Sequence, residues 1–186
     1  MTDQEQFSPS RRGFLGLAAG AGAATGAAAP ARAQVATQAH IVILGSGAAG
    51  TALANRLVHR LDGARITLVD GRKQHLYQPG FSLIAAGLKP AGYSVSRTAD
   101  WLPSGVTLKQ DYAAQIDPET KIVSLQGGET LTYDYLIVAT GLTLDHDAIE
   151  GFSLDLVGTE GIGALYAGPD YAAKTWQAAS KFTEEG

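Results

Sequence analysis

Apolar positions along this chain follow two rhythms, and the change between them marks its organisation. His40 to Leu44 is a short run, His-Ile-Val-Ile-Leu, of a length that suits a strand rather than a helix. After a glycine-rich break, Ala49, Leu53, Leu57 and Leu61 recur at helical spacing and predict a helix from Ala48 to Arg60 with that stripe buried. Ile66, Leu68 and Val69 form a second strand, closed by Asp70. From Val106 the period shortens to two. Strands are expected at Val106–Lys109, Tyr112–Ile116, Lys121–Leu125 and Thr130–Tyr133, with turns at Asp117-Pro118-Glu119-Thr120 and Gln126-Gly127-Gly128-Glu129. Tyr135 to Ala139 is then continuously apolar, which predicts a parallel strand buried on both faces.

The remaining segments are punctuated by turn residues. Tyr77-Gln78-Pro79-Gly80 reads as a turn, and Ser82 to Leu88 as a short helix ending at Gly87. Arg72 and Lys73 read as a solvated loop, and Trp101 as a core residue. Leu142 to Gly168 is loop-like, with glycines at 151, 158, 161, 163 and 168, and Pro169 opens a helix expected to reach Phe182. The alternation of strand, helix and strand assigns an α/β fold.

The break after the first strand carries the chemistry. Gly45, Gly47 and Gly50 stand in G-x-G-x-x-G spacing between a strand and a helix, and Asp70 lies 20 residues beyond Gly50. In a dinucleotide-binding βαβ unit these glycines allow a tight turn, close approach of a pyrophosphate, and close packing of helix on strand. The anion sits at the positive end of the helix, against unpaired N–H groups, and the spaced carboxylate accepts hydrogen bonds from a ribose. Ser46 and Asp70 disfavour a 2′-phosphate, but these residues alone do not separate FAD from NAD. Small residues at Ala139-Thr140-Gly141 would let a ligand approach the carboxyl end of the last strand.

Composition narrows the classes. The 186 residues carry a formal net charge of −4, which argues against an electrostatic nucleic-acid surface. There is no cysteine, so disulfides, thiolate metal sites and thiol catalysis are excluded within these residues. His40, His59, His75 and His146 are scattered, without metal-ligand spacing.

Residues 1–33 stand apart. Ser10-Arg11-Arg12-Gly13-Phe14-Leu15-Gly16 precedes an uncharged Ala/Gly stretch, and Ala31-Arg32-Ala33 has the form of a signal-peptidase site. The segment resembles a twin-arginine export signal, which implies a periplasmic protein with a mature start at Gln34. That route moves folded proteins, so a cofactor would be loaded before export.

The glycine triplet, the β-meander and Tyr133-Asp134-Tyr135-Leu136-Ile137-Val138-Ala139-Thr140-Gly141 together resemble the two-dinucleotide-domain, FAD-dependent pyridine nucleotide-disulfide oxidoreductase family. His75-Leu76-Tyr77-Gln78-Pro79-Gly80-Phe81, Gly87-Leu88-Lys89-Pro90 and Lys174-Thr175-Trp176-Gln177-Ala178 are similar to the sulfide:quinone oxidoreductases of bacteria and mitochondria. The resemblance implies a Rossmann-like FAD-binding domain, incomplete at residues 34–145. Residues 146–186 would then be a linker and helix leading to a second Rossmann-like domain. By the same resemblance, Ala48 and Ala49 offer N–H groups to the FAD pyrophosphate and Asp70 holds the adenosine ribose. Ala113 contacts the adenine through its backbone, Gln78 lies near the flavin half, and Thr140 and Gly141 line the site.

Sulfide oxidation in that family needs two redox cysteines, one of which attacks the sulfide sulfur, and the electrons pass through FAD to a quinone. The first of them is expected just past Gly186, which reads this chain as the N-terminal portion of a longer protein. Its missing C-terminal region would supply peripheral membrane association. Covalently flavinylated relatives carry a cysteine in the loop after the acidic residue, and Leu76-Tyr77-Gln78 has none, so FAD is expected to be non-covalent. Another FAD- or NAD(P)-dependent quinone reductase of the same family, and an inactive FAD-binding remnant, are the alternative readings.

Overall fold

The computed structural model describes residues 34–159 and 161–182, and the leader assigned to residues 1–33 lies outside them. The apolar runs become β2 (His40–Leu44), β4 (Arg65–Val69), β7 (Val106–Lys109) and β11 (Tyr135–Val138), all parallel, in the order β11-β2-β4-β7. Short β1 (Val35–Ala36) and β3 (Leu61–Asp62) pair with each other beside this sheet. The chain steps outward from β2 to β4 to β7, then returns to lay β11 on the far side of β2. The direction of winding therefore reverses between β2 and β11, and the crevice at their carboxyl ends is where such sheets bind ligands.

Strand geometry distributes the side chains to two layers, because successive residues point to opposite faces. Ile41, Ile43, Ile66 and Leu68 pack with Ala54, Leu57 and Val58 of α1 (Ala48–Val58). Val42, Leu44 and Val69 pack with Val123, Leu125 and Leu131 of an antiparallel meander, β8 (Ala113–Asp117), β9 (Ile122–Leu125) and β10 (Thr130–Thr132). A helix on one face and a meander on the other leave β2 wholly buried. A third cluster, Phe81, Ile84 and Ala172, joins α2 (Pro79–Ala85) to α3 (Pro169–Ala179). The strands β5 (Gln74–Leu76) and β6 (Val95–Arg97) form a small hairpin-like pair leading into this cluster.

Several expectations are corrected. Val106–Lys109 is the strand expected there, but its period-two pattern does not show its place as the outer parallel strand of the main sheet, paired with β4 from Ile66↔Val106 to Val69↔Lys109. The helix expected at Ser82–Leu88 begins at Pro79, whose fixed φ and missing N–H suit a first turn. The final helix stops at Ala179, short of Phe182. β11 was expected to be buried on both faces, yet Tyr135 is 64% and Val138 62% exposed. Its inner residues Leu136 and Ile137 pack into the two layers, but among the described residues β11 pairs with β2 alone. Trp101 is 54% exposed, its indole N–H donating to Ser96 Oγ at 2.8 Å, so it is no core residue.

Candidate functional site

The turn between β2 and α1 is built around three glycines with three different environments. Gly45 has φ +101, its N–H donates to the Val69 carbonyl, and a Cβ there would run into the Ala139 carbonyl. Only glycine meets both demands. A Cβ on Gly50 would collide with the Gly45 carbonyl oxygen, so the helix lies directly on the strand end. At Gly47 the opposite holds: among the described residues nothing beyond the adjoining backbone stands within 4 Å of where a Cβ would be. The turn is closed beneath and open above.

Helix α1 starts from this open side. Its N-cap is Gly47, with no side-chain cap and no acidic residue in the first turn. Intrahelical bonding begins with the Thr51 N–H, which donates to the Gly47 carbonyl at 3.0 Å, and the Thr51 hydroxyl donates to the Ser46 carbonyl at 2.9 Å. The N–H groups of the first turn, those of Ala48 and Ala49 included, have no intrahelical acceptor, and both residues are exposed. Ala49 therefore leaves the stripe expected to be buried, which instead centres on Gly50, Thr51 and Ala54. With unpaired donors and the positive end of the helix at one place, the turn fits a pyrophosphate.

Asp70, at the end of β4, is tied to this turn. The Ser46 N–H and hydroxyl both donate to its Oδ2, at 2.7 and 2.8 Å. Arg72 supplies three further donors: its backbone N–H and Nε to Oδ1, at 2.9 and 3.1 Å, and one Nη to Oδ2 at 2.8 Å. Burial opposes ionisation of Asp70, but the bonds from the Arg72 guanidinium and from Ser46 outweigh it and hold the carboxyl well below the usual carboxylate range. The same pairing raises the Arg72 guanidinium above its usual value.

Other candidates are placed around this centre. The Cα of Thr140 lies beside Gly45, bringing the end of β11 to the turn, and Gly141 follows with φ +76 in open space. Ala113 packs on the Val42, Leu44 and Val69 layer, next to Tyr112, whose ring would meet any Cβ on Gly71. Gln78 is exposed at the N-cap of α2, at the end of the segment leading from β5. Gly45, Gly47, Ala48, Ala49, Gly50, Asp70 and Thr140 thus share one end of the sheet.

Four residues take supporting roles at the turn that their sequence positions do not show. Ser46 is 2% exposed and joins the turn to Asp70, while Arg72, in the exposed loop expected of it, also clamps Asp70. Thr98 is fully buried with its hydroxyl 3.5 Å from Ser46 Oγ. His75 Nδ1 lies 3.2 Å from the Ser46 carbonyl, which can only accept, so Nδ1 carries the proton. All four contacts span separate elements, apart from the Arg72 pair, where an arginine two residues after the acid was the available signal.

Comparison with known proteins places this geometry. A family described as pyridine nucleotide-disulphide oxidoreductase matches residues 39–167. The chain is 33% identical over 148 residues to the mitochondrial sulfide:quinone oxidoreductase of Mus musculus, covering 77% of this chain and 32% of the mouse protein. It is 34% identical over 138 residues to the mitochondrial sulfide:quinone oxidoreductase of Dictyostelium discoideum, covering 74% of this chain and 30% of that protein. Among solved structures, the sulfide:quinone oxidoreductase of Aquifex aeolicus aligns with a TM-score of 0.59 at 24% identity, over 77% of this chain and 32% of that one. The chain spans about a third of the length of these relatives.

Proposed function

The chain belongs to the pyridine nucleotide-disulphide oxidoreductase family, and from that premise we propose that it is the FAD-binding portion of an exported sulfide:quinone oxidoreductase. The observation that carries the cofactor reading is the β2–α1 turn, closed by Gly50 and open at Gly47 beside an uncapped helix end. Likeness to the mouse and Dictyostelium proteins supports sulfide and quinone as substrates.

Ala48 and Ala49 present N–H groups to the pyrophosphate, and Asp70 accepts from the adenosine ribose. The backbone of Ala113 meets the adenine, Gln78 lies toward the flavin, and Thr140 and Gly141 form the wall at the end of β11. Non-covalent attachment fits a loop after Asp70 that lacks cysteine. When bound, FAD supplies two-electron redox chemistry. Persulfide formation needs sulfur as nucleophile and leaving group. The chain has no cysteine, so that step falls to residues outside these 186. The arginine pair Arg11-Arg12 supports export to the periplasm, with membrane contact made peripherally; among the described residues no helix is long and apolar enough to cross a membrane.

The test is made on the full reading frame that carries this chain, purified with its flavin. Sulfide should bleach the flavin absorbance and drive reduction of a soluble quinone, while NADH should do neither. Bleaching by NADH and not by sulfide would move the protein to the NADH-fed quinone reductases. A colourless product that takes up no FAD would overturn the flavoprotein reading altogether.

A further inference from the structure

The carboxylate of Asp70 offers about four lone-pair directions, yet five donors of its own chain already address it. A ribose hydroxyl can bond to Asp70 only by displacing one of them. The two Ser46 donors belong to the turn itself, and Ser46 is 2% exposed. The Arg72 N–H is fixed by the chain two residues away. The Arg72 guanidinium is different: it hangs on a flexible stem, its side chain is 49% exposed, and that of Asp70 is 4% exposed. The guanidinium supplies two of the five donors, and its exposed stem can carry both into solvent without moving the backbone, whereas the Ser46 hydroxyl is buried against Asp70.

We propose that the Arg72 guanidinium is an internal occupant of the ribose position on Asp70, and that it swings aside when the adenosine ribose of a dinucleotide docks. Arg72 is thus a positioning residue with two states. In one it keeps the buried carboxylate paired and aligned for Ser46; in the other it releases one face of that carboxylate to the ligand. This arrangement lowers the net gain from each ribose hydroxyl, because a charge-assisted bond is exchanged rather than added. It also spares the chain an unpaired buried carboxylate before the cofactor is loaded.

The inference rests on the dinucleotide reading, and its test separates the two. FAD is titrated into the protein and into R72M, which keeps an apolar stem and loses the donors, with binding followed by quenching of flavin fluorescence. R72M should bind FAD about 1.5- to 5-fold more tightly, the range set by removal of a partly exposed competing ion pair. A second probe reads the ribose directly. R72M should discriminate ADP from 2′,3′-dideoxy-ADP more strongly than the unaltered protein does, a change that a merely structural role for Arg72 would not produce. Equal or weaker FAD binding by R72M, or unchanged ribose discrimination, overturns the proposal and leaves the dinucleotide reading intact. Failure of both proteins to bind FAD or ADP sinks the two together.

Discussion

Single residues at the turn carry opposite burdens, and substitution separates them. Gly50→Ala should unfold or severely destabilise the chain, because its methyl meets the backbone carbonyl of Gly45 rather than a movable side chain. Gly47→Ala has open space and should leave stability within about 1 kcal/mol, yet weaken FAD binding, as denaturation and fluorescence titration would show. Asp70 adds a pH dependence. Its carboxyl is depressed in the folded state, so its contribution is complete above the unfolded value of about 3.9 and is lost as pH falls below it. Asp70→Asn should cost about 1.5–3 kcal/mol near neutrality and flatten the acid limb of the stability curve. His40 works at higher pH. Its burial, together with Arg65, lowers its pKa against the opposing Thr132 backbone and Asp134, and its Nε2 is 2.9 Å from Thr67 Oγ1. Protonation is therefore disfavoured in the folded state, and stability declines as pH drops below the unfolded value of about 6.5. His40→Gln should remove that slope in denaturation series run across this range. The glycines and Asp70 were legible because backbone demands fix both residue type and spacing. Ser46 and Thr98 were not, because a serine or threonine acquires its role only from what folding places opposite it.

Among the elements, those read best from sequence are those whose burial pattern is local. The β2 and β4 runs and helix α1 announce themselves by period and by flanking glycines. The sheet membership of β7 did not, since four residues with alternating character suit either a meander or a parallel edge, and only the register with β4 decides. Helix α3 was legible as a helix, but its contact was not. It packs on α2 through Phe81, Ile84 and Ala172, and the Trp176 ring lies where a Cβ on Gly87, at φ +72, would stand. Thr175 Oγ1 donates to the Tyr171 carbonyl at 2.8 Å and accepts from the Ala164 N–H at 3.1 Å, pinning the preceding loop to the helix. Phe81→Ala, which empties a site 1% exposed, should cost about 3–5 kcal/mol. Hydrogen exchange should then rise first in α3, and not in β2, if the α2–α3 cluster is a separate cooperative layer.

For the whole molecule, the sheet order explains why the candidate residues meet although they lie far apart in sequence. Reversal of winding after β7 brings the end of β11 against Gly45 and so sets Thr140 beside the turn. The α/β class could be assigned from alternation alone, whereas the exposure of β11 could not, because a continuous apolar run looks the same at the centre and at the flank. The chain taken by itself should show no sulfide-dependent quinone reduction, whatever flavin it holds, since it contains no cysteine; turnover by the pure chain would refute this. The free flank of β11 has a practical outcome for handling. Tyr135 and Val138 stand exposed along a strand hydrogen-bonded on one side only among the described residues, and such a flank is a template on which other chains can add. Solutions of this chain should therefore be colloidally unstable, scattering more light as concentration rises. A lysine at that flank, Tyr135→Lys, should prolong their shelf life while leaving FAD uptake unchanged, since Tyr135 pairs with Ile41 at the end of β11 remote from the turn.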